Sequence, residues 1–206
     1  MKGTEHYGTL DVSDPVQVAE YEYHFYLAYA GLAENRLVRL IWDWDDAGQR
    51  VRTRIPYDDQ VIYGWRDRAG RLVGATAVNV RPDRAFQGEA FGFAPQVIPP
   101  ELSGGRCCEI LNVMTTCHHQ EPVLSSYHAF IRDFCYGDLV SRGFDVAYST
   151  CTRRRLRPYV RLGAKLLRQS SIDGEDRFFL LWPICELVAS AHALRPSSPH
   201  ATWAAQ

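Results

Sequence analysis

The chain has 206 residues, with 23 Lys+Arg against 24 Asp+Glu for a formal net charge of −1, 46% hydrophobic and 12% aromatic content. That length and apolar content support one full domain with a real core and exclude disorder as the main state. The even balance excludes a chain that is basic throughout, as a general nucleic-acid coat would be, while leaving room for local patches.

The N-terminus, Met1-Lys2-Gly3-Thr4-Glu5-His6-Tyr7, is polar and is followed by Asp11 and Asp14, so it lacks a charged-then-apolar leader pattern. No stretch approaches the ~18 apolar residues of a membrane helix, and the expectation is a soluble, cytoplasmic protein without membrane contact. The cysteines, Cys107, Cys108, Cys117, Cys135, Cys151 and Cys185, contain no CxxC pair. Neither a disulfide framework nor a metal site is indicated.

The spacing predicts a helix over residues 15–30, with Asp14 as cap, Pro15 in the first turn and Gly31 near its end. An apolar segment, Leu37 to Trp44, follows. Val61 to Trp65 and Leu72 to Val80 read as a hairpin closed by Asp67 to Gly70. Residues 81–106 are rich in Pro and Gly and read as a long ordered loop, the kind of segment on which substrate sites are built. Cys107 to Thr116 has the length of a buried strand. From Val123 to Arg142 apolar residues recur at helical spacing and stop at Gly143. A strand from Phe144 to Thr150, a short helix from Arg153 to Leu162 and a strand from Phe178 to Trp182 complete the pattern, before a turn-rich tail over 196–206. This order predicts a single α/β domain over residues 1–195, a mixed central sheet flanked by helices.

Four of these pieces carry a resemblance: the strand Cys107 to Thr116, the long helix Val123 to Arg142, the strand Asp145 to Thr150, and Pro158-Tyr159-Val160-Arg161-Leu162-Gly163. The last matches a Tyr-x-Lys/Arg-Leu-Gly-Phe signature except that Ala164 replaces the aromatic. Together they resemble the GNAT superfamily of N-acetyltransferases. Trp42, Trp44, Tyr57-Asp58 and Leu72-Val73-Gly74 are similar to its branch of acyl-homoserine-lactone synthases and N-acyl amino acid synthases. The acidic pair that precedes Tyr/Phe-Asp in the lactone synthases falls here on Thr53 and Ile55. Most acetyl-CoA users carry Arg/Gln-x-x-Gly-x-Gly/Ala before the long helix, where backbone N–H groups hold the CoA pyrophosphate. This chain has Thr116-Cys117-His118-His119-Gln120-Glu121-Pro122-Val123-Leu124-Ser125, without glycine and with an acid that repels phosphate.

The resemblance implies an N-acyltransferase with no tightly bound cofactor. Loss of the phosphate cradle is what a phosphopantetheine thioester on an acyl carrier protein permits; acyl-CoA is the second choice of donor. The acceptor is then the amine of a small metabolite, in specialised metabolism or signal synthesis. A lactone-type signal synthase, an aminoacyl-tRNA-dependent transferase and a non-catalytic acyl-binding module remain the alternatives; beyond aminoacyl-tRNA, no nucleic-acid partner is expected. Arg153, Arg154, Arg155, Arg157, Arg161, Lys165 and Arg168 put seven cations and no acid into 16 residues, a solvated helix face or a dock that steers an acidic carrier.

Amide formation from a thioester needs a neutral amine, stabilisation of an oxyanion and a proton for the leaving thiolate. By the resemblance, Tyr159 supplies that proton and Glu109, an acid inside an apolar strand, accepts the ammonium proton. A plain salt bridge is the competing reading of Glu109. His118 and His119 are alternative bases or surface residues. Asn112 and Thr115 are candidates to hold the pantetheine amides, with Arg153, Arg154, Arg155 and Arg157 on the donor side. Trp42 and Asp58 are candidates on the acceptor side, where Tyr23, Tyr26, Trp44, Trp65, Arg36 and Arg39 also come into view. Cys107, Cys108, Cys117 or Cys151 paired with a histidine would allow an acyl-enzyme, but cysteines in buried strands mostly act as small apolar fillers, and direct transfer ranks ahead.

Overall fold

Asp14 accepts the N–H of Val16 and Pro15 fills the first helical position, so the first helix, α1 (Pro15–Tyr29), starts where a proline costs no hydrogen bond. The structure, a computed structural model, describes residues 6–32, 35–93, 106–115 and 129–193. After β1 (His6–Thr9) and α1 come α2 (Asn35–Ile41), β2 (Trp42–Asp45), β3 (Arg50–Thr53), β4 (Gln60–Arg66), β5 (Leu72–Asn79) and β6 (Cys107–Thr115). A π-helical segment Ala129–Tyr136 runs into α3 (Gly137–Ser141), and β7 (Val146–Thr152), α4 (Arg153–Arg161), β8 (Lys165–Ile172), β9 (Glu175–Trp182) and α5 (Ile184–Ala193) follow.

Seven strands form one mixed sheet in the order β1-β4-β5-β6-β7-β9-β8. All neighbours are antiparallel except β6 and β7. The period-two alternation of β9 shows how the sheet sorts its faces. Phe179 and Leu181 join a core with α1, including Tyr21 and Phe25. Phe178, Leu180 and Trp182 join the opposite core with the π-helical segment, including Phe130, Ile131 and Tyr136.

The helix over 15–30, the hairpin at 61–80 and the strands of the second half stand as the sequence predicts, with edges moved by a few residues. Leu37 to Trp44 divides into α2 and a strand; β2 and β3 pair as a separate hairpin. β8, reading KLLRQSSI, is an edge strand with mostly exposed side chains and so carries little apolar periodicity. The described part of the long helix begins at Ala129, and its first stretch is π-helical rather than α-helical. Residues 116–128, 94–105 of the Pro/Gly-rich loop and the 196–206 tail lie outside the described residues. Among the described residues no helix is long and apolar enough to cross a membrane.

Candidate active site

The site begins with a break in the sheet. β6 and β7 pair only from Cys107–Val146 to Ile110–Ser149; beyond that point both strands continue without a rung between them. On the other side of β6, Ala77 opposes Asn112 and Val78 opposes Ile110, so Leu111 is an extra residue. Such a bulge bends and twists its strand, and main-chain groups that would have paired across the missing rungs are left facing the gap.

A cavity of about 670 Å³ occupies the gap, a volume suited to a small-molecule ligand. Its walls come from both cores: Tyr159, Trp182 and Leu162 on the α4 face, Tyr29, Trp42 and Phe91 on the α1 face. The cavity therefore passes through the sheet. Its described lining holds Arg132, Arg155, Arg161 and Arg177 and no acid.

Tyr159 stands on α4 with its ring edge-on to Trp182, centroids 5.4 Å apart. Burial pushes its hydroxyl above the ordinary phenol range, with Arg155 pulling the other way. The phenol thus stays protonated at neutral pH and is equipped to donate. Just past α4, Gly163 takes a φ of 103° against the Leu187 side chain of α5, a backbone conformation that a side chain would strain.

Of the other donor-side candidates, Arg155 lines the cavity. Arg154 and Arg157 are exposed on α4. Arg153 is spent differently: its Nε donates to Asp176 at 3.0 Å and the guanidinium covers Phe178. Lys165 lies 3.7 Å from Glu186, so acids distant in sequence meet part of the basic run. Asn112 lines the cavity, but its side chain donates to the Tyr21 hydroxyl at 2.9 Å and accepts the Ala77 N–H at 3.1 Å. It fills the bulge rather than reaching for a ligand. The Thr115 side chain, His118, His119 and Cys117 lie outside what the structure describes.

Glu109 is 2% exposed and does not line the cavity. Its carboxylate accepts the main-chain N–H groups of Gln87 and Gly88 and the Asn79 side chain, at 2.9, 2.8 and 3.2 Å. Neither a base open to substrate nor a salt bridge to arginine describes it. It fixes the turn that carries Gln87 into the cavity. There Gln87 accepts from Trp42 Nε1 at 2.7 Å and donates to the bulge carbonyl of Leu111 at 3.0 Å.

Trp42 is therefore a cavity wall held in place from within. Asp58 is exposed on the turn Tyr57–Asp59, away from the cavity. Arg39 is paired with Asp46 at 2.9 Å, Trp65 packs in the α4-face core, and Tyr23 is exposed. Cys151 lines the cavity, where burial pushes its thiol up to about 12; burial also raises Cys107 and Cys108. These thiols are neutral at physiological pH and poorly prepared as nucleophiles. Tyr29, Gln87, Phe91 and Arg177 are cavity residues that sequence reasoning passes over. Only Arg177, a charge inside an apolar strand, leaves a signal there.

No family model and no curated protein matches the chain. Solved structures do. TofI, in a ternary complex with an inhibitor and MTA, is 17% identical with TM-score 0.57, over 95% of this chain and 98% of that one. BjaI, a CoA-dependent acyl-homoserine lactone synthase solved with MTA, is 13% identical with TM-score 0.63, over 92% and 89%. FeeM, an N-acyl amino acid synthase from uncultured soil microbes, is 10% identical with TM-score 0.54, over 88% and 92%. At such identities the likeness is one of fold, and it runs over nearly the whole of each chain. A single α/β domain, with the parallel β6–β7 pair splayed around a cavity, has the GNAT fold.

Proposed function

We propose that this chain is an N-acyltransferase that moves an acyl group from a phosphopantetheine thioester on an acyl carrier protein to the amine of a small metabolite. The observation that carries the reading is the cavity through the β6–β7 gap, with the Tyr159 phenol on its α4 face and main chain of β6 along its walls. A thioester arm entering from α4 and an amine from the α1 face meet at the splay. The amine attacks the carbonyl carbon directly; a main-chain N–H of β6 beyond Ile110 meets the oxyanion. Collapse expels the thiolate, which takes the Tyr159 proton.

The described lining offers no carboxylate as base. We assign the ammonium proton to His118 or His119, three and four residues beyond β6. The neutral buried thiols favour direct transfer over an acyl-enzyme. Exposed Arg154 and Arg157 support a carrier as donor, because a carrier needs a docking face that free CoA does not. The alternative, acyl-CoA, is favoured by the CoA dependence of BjaI.

Panels of acyl-carrier and acyl-CoA donors, offered with mixed amines while free thiol is followed, test the reading. Turnover with a carrier donor supports it; robust turnover with acyl-CoA alone overturns the donor; thiol release with neither overturns the enzyme.

A further inference from the structure

We infer that the protein has a second ligand site, at the other end of β6 from the gap, which takes an aromatic carboxylate bearing a hydrogen-bond acceptor on its ring: the Tyr148 hydroxyl meets the acceptor at depth and Arg106 meets the carboxylate at the mouth. The inference stands apart from the acyltransferase reading, because such a ligand carries neither a thioester nor an amine.

The site is a cavity of about 460 Å³, within the size range of small-molecule pockets. It shares no described lining residue with the gap cavity. β6 and β7 pair from Cys107–Val146 to Ile110–Ser149. The second cavity lies at this paired end, where Val80 follows β5, Cys107 opens β6 and Phe144 precedes β7. Its walls are aromatic. The Phe179 ring lies 5.4 Å from that of Tyr148 and 18° from parallel, and Phe86 stands edge-on to Phe179 at 5.9 Å. Rings stacked and edge-on in this way favour a further ring between them.

Polar groups are placed at two depths. Tyr148 is 1% exposed, and its hydroxyl has no hydrogen-bond partner among the described residues. The Cys107 and Cys108 thiols are electrostatic neighbours of that hydroxyl, and Cys107 lines the cavity, so the hydroxyl is turned to the cavity side. Burial keeps the phenol protonated. The unmet group is thus a buried donor, which is costly without a partner, and a ligand acceptor would satisfy it.

Arg106 is exposed and stands at the rim. Its Nη1 donates to the Arg142 carbonyl at 2.7 Å and its guanidinium lies over the Phe144 ring, 4.7 Å from the centroid. The nearby acid Asp145 accepts the Arg106 main-chain N–H at 3.0 Å, and among the described residues no carboxylate pairs with the Arg106 side chain. Arg81 and Asp83, also in the lining, pair with each other at 3.1 Å. One oriented guanidinium is left over at the mouth, and its planar fork fits a carboxylate. A ligand in this cavity also bears on the first one: Phe86 immediately precedes Gln87, whose N–H Glu109 accepts.

The probes are 4-acetylbenzoate, 4-isopropylbenzoate, which lacks the ring acceptor, and 4-acetylbenzyl alcohol, which lacks the charge. Dissociation constants are read by NMR titration of the full chain as wild type, Tyr148→Phe and Arg106→Met. A neutral hydrogen bond corresponds to about 2- to 10-fold in affinity and one to a charged group to about tenfold or more. Wild type should bind 4-acetylbenzoate tightest, with the isopropyl compound and the alcohol weaker by those factors. Tyr148→Phe should weaken 4-acetylbenzoate and leave 4-isopropylbenzoate unchanged. Arg106→Met should weaken both benzoates and leave the alcohol unchanged. Equal binding of the three probes, binding of none, or binding that neither variant weakens overturns the site. Should Tyr148→Phe not fold, the wild-type comparison and Arg106→Met decide.

Discussion

One carboxylate oxygen of Glu109 accepts the N–H of Gly88 at 2.8 Å while the other accepts that of Gln87 at 2.9 Å. A strand residue thereby latches a turn, and through Gln87 the latch reaches Trp42 and the Leu111 bulge. Glu109 acts on the cavity by positioning. In Glu109→Gln an amide NH₂ must face at least one N–H donor, leaving a buried donor unmet at a cost of about 1–3 kcal/mol. The expected outcome is that loss in urea denaturation, together with a higher acceptor KM. A kcat drop of about 10²-fold or more at unchanged stability would restore Glu109 as a base.

The latch also sets a pH slope. Burial pushes the Glu109 carboxyl up to about 7 from an ordinary 4.5, with its three hydrogen bonds opposing and Glu89 adding to the rise. Between those values the folded chain holds a proton that the unfolded chain has released. This contribution to stability is therefore lost as pH rises from about 4.5 to about 7. Denaturation curves for wild type and Glu109→Gln from pH 5 to 8 check this: the wild type should lose stability more steeply with rising pH, and parallel curves would sink the assignment.

Much of the scaffold was legible because it is written in local signals. Asp14-Pro15 marks a helix start, and the turn Asp67 to Gly70 closes a hairpin. Tyr159 came from a motif and does line the cavity. Glu109 was conspicuous as an acid in an apolar strand, but what it binds is main chain 21 and 22 residues earlier, and main-chain donors leave no trace in sequence. Asn112 misled for a similar reason: its amide serves a bulge, which exists only through the register of β5 against β6. Arg153 looked like part of an uncompensated run because Asp176, 23 residues on, meets it only once β7 and β9 pair.

Gly163 closes α4 at a φ of 103°, and a Cβ there would lie 2.5 Å from Leu187 Cδ2. Gly163→Ala should cost about 1–3 kcal/mol in backbone strain and press α4 away from α5. A lowered denaturant midpoint, with a weaker grip on the donor, is the expected result. An unchanged midpoint would show that the turn relaxes freely.

Tyr159→Phe keeps the ring against Trp182 and removes only the hydroxyl. Stability should stay close to wild type while kcat falls about 10²- to 10⁴-fold, the range for a lost general acid, with donor KM little changed. The contrast between slow turnover and intact donor binding is the informative readout. A loss under about fivefold would return the phenol to a packing role, given the size of a true acid's contribution.

Arg154 and Arg157 separate a carrier donor from a free one. Both are exposed on α4 without an ion pair among the described residues, so reversing their charge leaves packing alone and should leave stability within about 0.5 kcal/mol. If an acidic carrier docks on this face, Arg154→Glu/Arg157→Glu opposes it with like charges and slows encounter. The KM for the carrier-bound donor should rise about tenfold or more at low salt and by less near 0.5 M salt, where the Debye length is only a few ångströms. The KM for the same acyl group on free pantetheine, which carries no phosphate, should not move. Parallel changes for both donors would place the effect in the cavity rather than on the docking face, and no change for either would remove the carrier from the mechanism.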